Sequence, residues 1–193
     1  MKVMKFGGTS VGKPERMFQV AELVTRGDEP VIVVLSALSG TTNALVTIGG
    51  YIAKGERTLA KQEIAKLEAH YNDFISKLVK KPASLEKAKA IIAEHFEFLN
   101  IILKISFSEA LSKDILAQGE LLSTKLFSIY LEETGVDHEL LPALEFMSID
   151  SYDEPQIGSI KIKLSQLLKN IMQKNFLLRK VISVVMQEVR WIT

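Results

Sequence analysis

The run Pro30 to Leu35, P-V-I-V-V-L, constrains this chain more than any other stretch. A continuous β-branched and leucine run with no polar alternation is the pattern of a strand buried on both faces of a parallel sheet. A second apolar run, Val3 to Phe6, lies upstream. Between the two, Met17, Val20, Ala21 and Val24 recur at i, i+3, i+4 and i+7, which predicts a helix from about Pro14 to Thr25, closed by Gly27. Strand, helix, strand is a β-α-β unit with a right-handed crossover. It places both strand C-termini at one sheet edge, where ligands of open α/β sheets bind. Two segments are thereby expected to face each other: Lys5 to Gly12, K-F-G-G-T-S-V-G, and Ser36 to Asn43, S-A-L-S-G-T-T-N.

In the first segment Gly7 and Gly8 let the backbone approach a ligand without Cβ interference and turn N–H groups inward. Thr9 and Ser10 add hydroxyl donors, and a helix N-terminus follows, which together suit a phosphate or a developing anion. Lys5 places a compact positive charge at the same point. The glycine spacing differs from a Walker A loop, and the lysine precedes the glycines instead of following them. The competing reading is a strand-to-helix turn in which glycine serves geometry and Lys5 solubility. The density of hydroxyls in the second segment suits a polar small-molecule pocket; its competing reading is N-capping of the next helix by Ser39 or Thr41.

Downstream, Leu67, Tyr71, Phe74, Ile75 and Leu78 predict an amphipathic helix within 58–80, stopped by Pro82. A second helix is predicted from near Ser84, with Ile91, Ile92, Phe96, Leu99 and Leu103 on one face. The pair reads as a helical hairpin inserted into the α/β domain over about 58–105, its stripes serving core packing. A third helix, about Ser108 to Thr134, contains Q-G-E-L-L-S-T at Gln118 to Thr124. Gly119 inside a helix costs about 1 kcal/mol relative to alanine, so something is expected to approach the backbone there. Glu120 is flanked by Leu116, Leu121 and Leu122. Spacing favours a solvated helix-face glutamate, whereas a carboxylate emerging from an apolar surface would need a partner. A short strand at Glu139 to Leu141 and an amphipathic helix at Ile157 to Lys169 complete the pattern.

Bulk properties exclude several classes. Formal net charge is +1, which offers no electrostatic case for nucleic acid or an anionic membrane as partner. There are no cysteines, so disulfides and thiolate chemistry are out. His70, His95 and His138 sit at no ligand spacing and read as surface or helix residues, with no metal site. No apolar run approaches the roughly 20 residues that span a bilayer, and no signal pattern opens the chain; cytoplasm is the expected compartment.

In this order, the motifs at Lys5 to Gly12, Ser36 to Asn43 and Gln118 to Thr124 resemble the N-terminal part of aspartate kinases of the amino-acid kinase superfamily, over roughly Lys2 to Lys169. The resemblance implies an α/β fold, the three-layer α/β/α sandwich of the carbamate kinase-like type, and transfer of the γ-phosphoryl of MgATP to the β-carboxylate of L-aspartate. That reaction opens the route to lysine, threonine and methionine. By position, Lys5 resembles the catalytic lysine, and Lys5, Gly7, Gly8, Thr9 and Ser10 the phosphate side of an ATP site. Ser36 and Thr42 would line the aspartate pocket, and Glu120 would hold the substrate ammonium. ATP and Mg2+ are implied by the family alone. A kinase acting on glutamate or a carbamate, or a non-enzymatic helical interaction fragment, are the alternatives.

The family pattern continues into a Thr-Gln-Gly-(Phe/Tyr)-Ile strand, a Gly-Arg-Gly-Gly-Ser-Asp loop bearing the arginine for the substrate α-carboxylate, an adenine-binding half and ACT domains. Residues 1–170 read as an N-terminal lobe without these. Residues 171–193 read as a non-family tail. Starting at the third base of the Leu178 codon, codon degeneracy permits Thr-Gln-Gly-Tyr-Ile-Cys-Arg-Asn, so a frame-shifted origin is expected. A natural terminal helix or strand with Leu177, Val181 and Val184 on one face is the alternative. Such a truncated sheet is expected to leave one face of its central strands uncovered, to self-associate through the exposed sheet edge unless the tail plugs the gap, and to turn over negligibly.

Overall fold

A computed structural model describes residues 2–27, 29–105, 107–152, 154–174 and 181–185. Its sheet holds four parallel strands, β1 (Lys2–Phe6), β2 (Val31–Leu35), β3 (His138–Leu141) and β4 (Val181–Val185), in spatial order β1-β2-β4-β3. The first β-α-β unit forms as expected. Lys2 to Phe6 pair in register with Val31 to Leu35, and the N–H of Ser36 extends the ladder to the carbonyl of Phe6 at 3.1 Å. Between the two strands come a short helix α1 (Gly8–Val11), absent from the sequence reading, and α2 (Pro14–Thr25), with Pro14 at its first turn and Met17, Val20, Ala21 and Val24 buried.

All five residues of β2 are buried, and they divide between two cores. Val31, Val33 and Leu35 join α2 and the helices α3 (Thr41–Ala53), α4 (Arg57–Leu78), α5 (Pro82–Ile102) and α6 (Glu109–Glu133). Ile32 and Val34 face the other way, against Ala143 and Phe146 of α7 (Ala143–Phe146) and Ile160, Leu164 and Leu167 of α8 (Ile157–Lys174). This is the three-layer α/β/α sandwich. The expectation of an uncovered face on the central strands is corrected at β2, because α7 and α8 supply the third layer. Both edge strands, β1 and β3, lack an outer strand partner among the described residues, and on β1 Lys2, Val3 and Lys5 are exposed.

The predicted hairpin exists, with two corrections. Pro82 opens α5 instead of merely stopping α4, since proline lacks only an N–H that the first helical turn leaves unused. Nor does the pair stand apart: α3 packs on α4, α4 on α5, α5 on α6, and α6 back on α3, closing a four-helix layer. Glu133, at the end of α6, clamps the α4–α5 connection, its carboxylate accepting the backbone N–H groups of Lys80 and Lys81 at 2.8 and 3.0 Å. Ser108 caps α6 by accepting the N–H of Leu111 at 3.2 Å.

Of the tail, residues 171–174 continue α8, and 181–185 form β4 between β2 and β3. Residues 181–185 are thus a strand, while Leu177, which the alternative reading placed on one face with Val181 and Val184, lies outside the described residues. The rest of the tail, 175–180 and 186–193, lies outside the described residues, and the frame-shift expectation concerns the coding sequence.

Candidate active site

The carboxyl ends of β1 and β2 bring the two loops together. The glycine loop is held tightly: a Cβ built on Gly8 would lie 2.7 Å from the carbonyl oxygen of Ala37, and one on Gly12 would lie 2.6 Å from Cβ of Ser39. Only glycine allows this approach, so the glycines serve close packing of loop on loop. The turn begins with the N–H of Ser10 donating to the Gly7 carbonyl at 2.8 Å, and the Arg16 guanidinium donates to the carbonyl of Thr9 at 2.5 Å. Gly7 and Thr9 are exposed, and Ser10 is half-buried. Lys5 is exposed one residue before the end of β1. Its register partner Val34 points into the α7–α8 core, so Lys5 leaves the sheet on that face, opposite Met4 and Phe6.

The second loop ends at Gly40, whose φ of +85° only glycine adopts without strain, and α3 starts at Thr41. Neither Ser39 nor Thr41 caps α3: no side chain caps it, which removes the competing explanation for the hydroxyls. The Thr41 hydroxyl instead shares a buried hydrogen bond of 3.1 Å with the phenol of Tyr71 on α4. Ser36 and Thr42 are half-buried beside these groups in the chain.

Helix α6 supplies the third wall. A Cβ on Gly119 would lie 2.8 Å from Cβ of Ala37 and 3.1 Å from Cγ2 of Thr41, so the second loop is what approaches the helix backbone there. One turn on, the Ser123 hydroxyl donates to the Ser36 carbonyl at 2.9 Å and lies 3.0 Å from the Glu120 carbonyl. Glu120 itself is only 6% exposed, which corrects its reading as a solvated helix-face residue. Apolar surroundings push the Tyr71 phenol pKa upward, with the Thr41 hydrogen bond opposing and the charge of Glu120 adding to the rise. The carboxylate is therefore close enough to act on that phenol.

A buried polar chain lies beside this wall. Nδ1 of His95 is 2.6 Å from Oε1 of Gln118, and Nε2 is 2.9 Å from Nζ of Lys125. Lysine only donates, so Nε2 accepts and Nδ1 carries the proton that it donates to Gln118. His95 is thus a buried neutral residue, not a surface one, and His138 begins β3 with Nε2 2.6 Å from the Ser128 hydroxyl. Sequence reasoning missed Thr41, Tyr71, Ser123 and His95. For Tyr71 a signal existed, because a tyrosine in an apolar stripe still requires a partner for its hydroxyl.

A parallel sheet with a glycine-tight loop at its carboxyl edge, and a buried carboxylate on the helix packed across the second loop, define the open-sheet class of α/β protein, whose ligands bind at that edge. The chain belongs to the amino acid kinase family, whose profile matches residues 1–179. It is 36% identical over 158 residues to Aspartokinase 3, chloroplastic, of Arabidopsis thaliana, covering 78% of this chain and 27% of that protein. Against Lysine-sensitive aspartokinase 3 of Escherichia coli the identity is 30% over 163 residues, covering 82% of this chain and 35% of the relative. The chain thus spans about a third or less of these relatives. The crystal structure of E. coli aspartokinase III in complex with aspartate and ADP superposes with a TM-score of 0.75 at 24% identity, over 95% of this chain and 40% of that one, and supports the fold.

Proposed function

We propose that these residues form the acid-binding and phosphate-loop part of an aspartate kinase, which transfers the γ-phosphoryl of MgATP to the β-carboxylate of L-aspartate. The observation that carries this reading is the convergence on one loop, 36–42, of the glycine turn at Gly8 and of the helix backbone at Gly119, with the buried Glu120 beside it. The roles of the individual residues follow from charge. Glu120 offers its buried carboxylate to the substrate ammonium, since opposite charges attract more strongly away from water. Ser36 and Thr42 offer hydroxyls to the acid. Gly7, Gly8, Thr9 and Ser10 line the phosphate side, and Lys5 neutralises charge on the phosphoryl group in flight.

Phosphoryl transfer between two anions is mainly positioning and charge stabilisation, so no protein nucleophile is needed. ATP, when bound, supplies the phosphoryl group, and the side of the turn left open to a phosphate is that of Gly7, where a Cβ would meet nothing within 4 Å. Mg2+ is implied by the family and would come with the nucleotide, whose phosphate charge it would neutralise. No helix among the described residues is long and apolar enough to cross a membrane.

The test is calorimetric binding of L-aspartate, N-acetyl-L-glutamate and L-glutamate to the 193-residue chain. Saturable binding of L-aspartate over the other two, lost in Glu120→Gln, is the expected result. Preference for N-acetyl-L-glutamate would move the reading to another acid, and binding that Glu120→Gln leaves unchanged would overturn the assignment of Glu120. Hydroxamate formation from aspartate and MgATP by these residues alone is expected at background.

A further inference from the structure

The helices α4 and α5 bring a buried polar contact to the acid side of the site, and the function proposed above gives it no role. Tyr71 of α4 is fully buried, its ring edge-on to Phe96 of α5 at 5.9 Å, and its hydroxyl meets the Thr41 hydroxyl at 3.1 Å. Thr41, 1% exposed, is wedged between that phenol and Gly119, whose missing side chain makes the room, and it directly precedes Thr42. The next residue of α6 is Glu120. One hydroxyl pair thus sits where α3 packs on α4 and on α6. An apolar pair of the same shape would pack as well, and a buried hydroxyl carries a desolvation cost when left unpaired, so the pair is a specificity device more than a stabilising one.

Resting on the assignment of Glu120 and Thr42 to an amino acid substrate, we infer that Tyr71 is a positioning residue: through Thr41 it sets the first turn of α3 against Glu120, so that the site selects an acid carrying an ammonium over the same diacid without one. The helical insertion is then part of substrate selection, and its buried stripe has a polar function at one point. Tyr71 does not touch the substrate. It acts through Thr41, which packs against Gly119, the residue before Glu120.

The experiment compares L-aspartate with succinate, which lacks the ammonium, by calorimetry on the full chain and on Tyr71→Phe, Thr41→Val and the double variant, each checked for folding by urea titration. A structural role alone would weaken both ligands together and leave their ratio intact. The inference expects wild-type preference for L-aspartate, a ratio reduced by about three- to tenfold in either single variant, no further reduction in the double, and recovery in Thr41→Ser. If Tyr71→Phe fails to fold, Thr41→Val carries the comparison. An unchanged ratio in a folded variant overturns this inference and leaves the proposed function standing. Wild-type chain with no preference for L-aspartate over succinate overturns the role given to Glu120, and this inference with it.

Discussion

Gly119 lies against Ala37 so closely that a methyl group at position 119 would sit 2.8 Å from Cβ of Ala37. Both atoms are fixed to backbone, one on α6 and one just beyond β2, so neither can swing aside. Gly119→Ala would gain up to about 1 kcal/mol of helix propensity, against an overlap costing about 1–3 kcal/mol. A net loss of stability by about 1–2 kcal/mol in urea unfolding is expected. A stabilised variant would mean that α6 is not pressed on the loop.

His95 makes stability depend on pH. Burial holds its pKa below the ordinary 6.5, the neighbouring Lys125 ammonium lowers it further, and Gln118 and Glu94 oppose. The unfolded chain therefore binds a proton at a pH where the folded chain does not, so stability rises with pH up to about 6.5 and levels off above it. The melting temperature should fall as pH drops from about 7.5 to about 5.5. His95→Phe should flatten that slope, and a profile identical to wild type would show that the imidazole titrates normally.

Lys5 separates the kinase reading from a helical scaffold reading. It is exposed, so Lys5→Ala should change stability by no more than about 0.5 kcal/mol. Binding of pyrophosphate, followed by calorimetry, should weaken by about tenfold with loss of that charge. If pyrophosphate binds wild type and variant alike, Lys5 has no part in the phosphate site and the scaffold reading gains.

The β1 edge is the expected place for self-association. Among the described residues its outer side has no strand partner, and Val3 is 68% exposed. Sedimentation velocity over a hundredfold concentration range should reveal reversible association, and Val3→Asp should weaken it without unfolding the chain. Concentration-independent monomer would remove the edge as an interface.

Periodicity was enough to place α2, α4 and α6 and the buried strand β2, because one apolar face at a fixed spacing is a local property. Gly119 was legible as a close-approach site because a glycine in a costly helical position implies a neighbour, whereas Gly8 read as room for a ligand. The sequence by itself determined that something approaches Gly119; only the tertiary structure decided that it was Ala37, and that Ala37 also lies against Gly8. The same division holds for the charged and polar groups. Glu120 read as solvated from its spacing, and His95 as a surface or helix residue, because burial of a polar group depends on what other elements bring to it. The partners of His95 and Tyr71 come from 23 and 30 residues away, Gln118 in one case and Thr41 in the other. Helix and strand are written in neighbouring residues, whereas the environment of a buried hydroxyl or imidazole is made by packing.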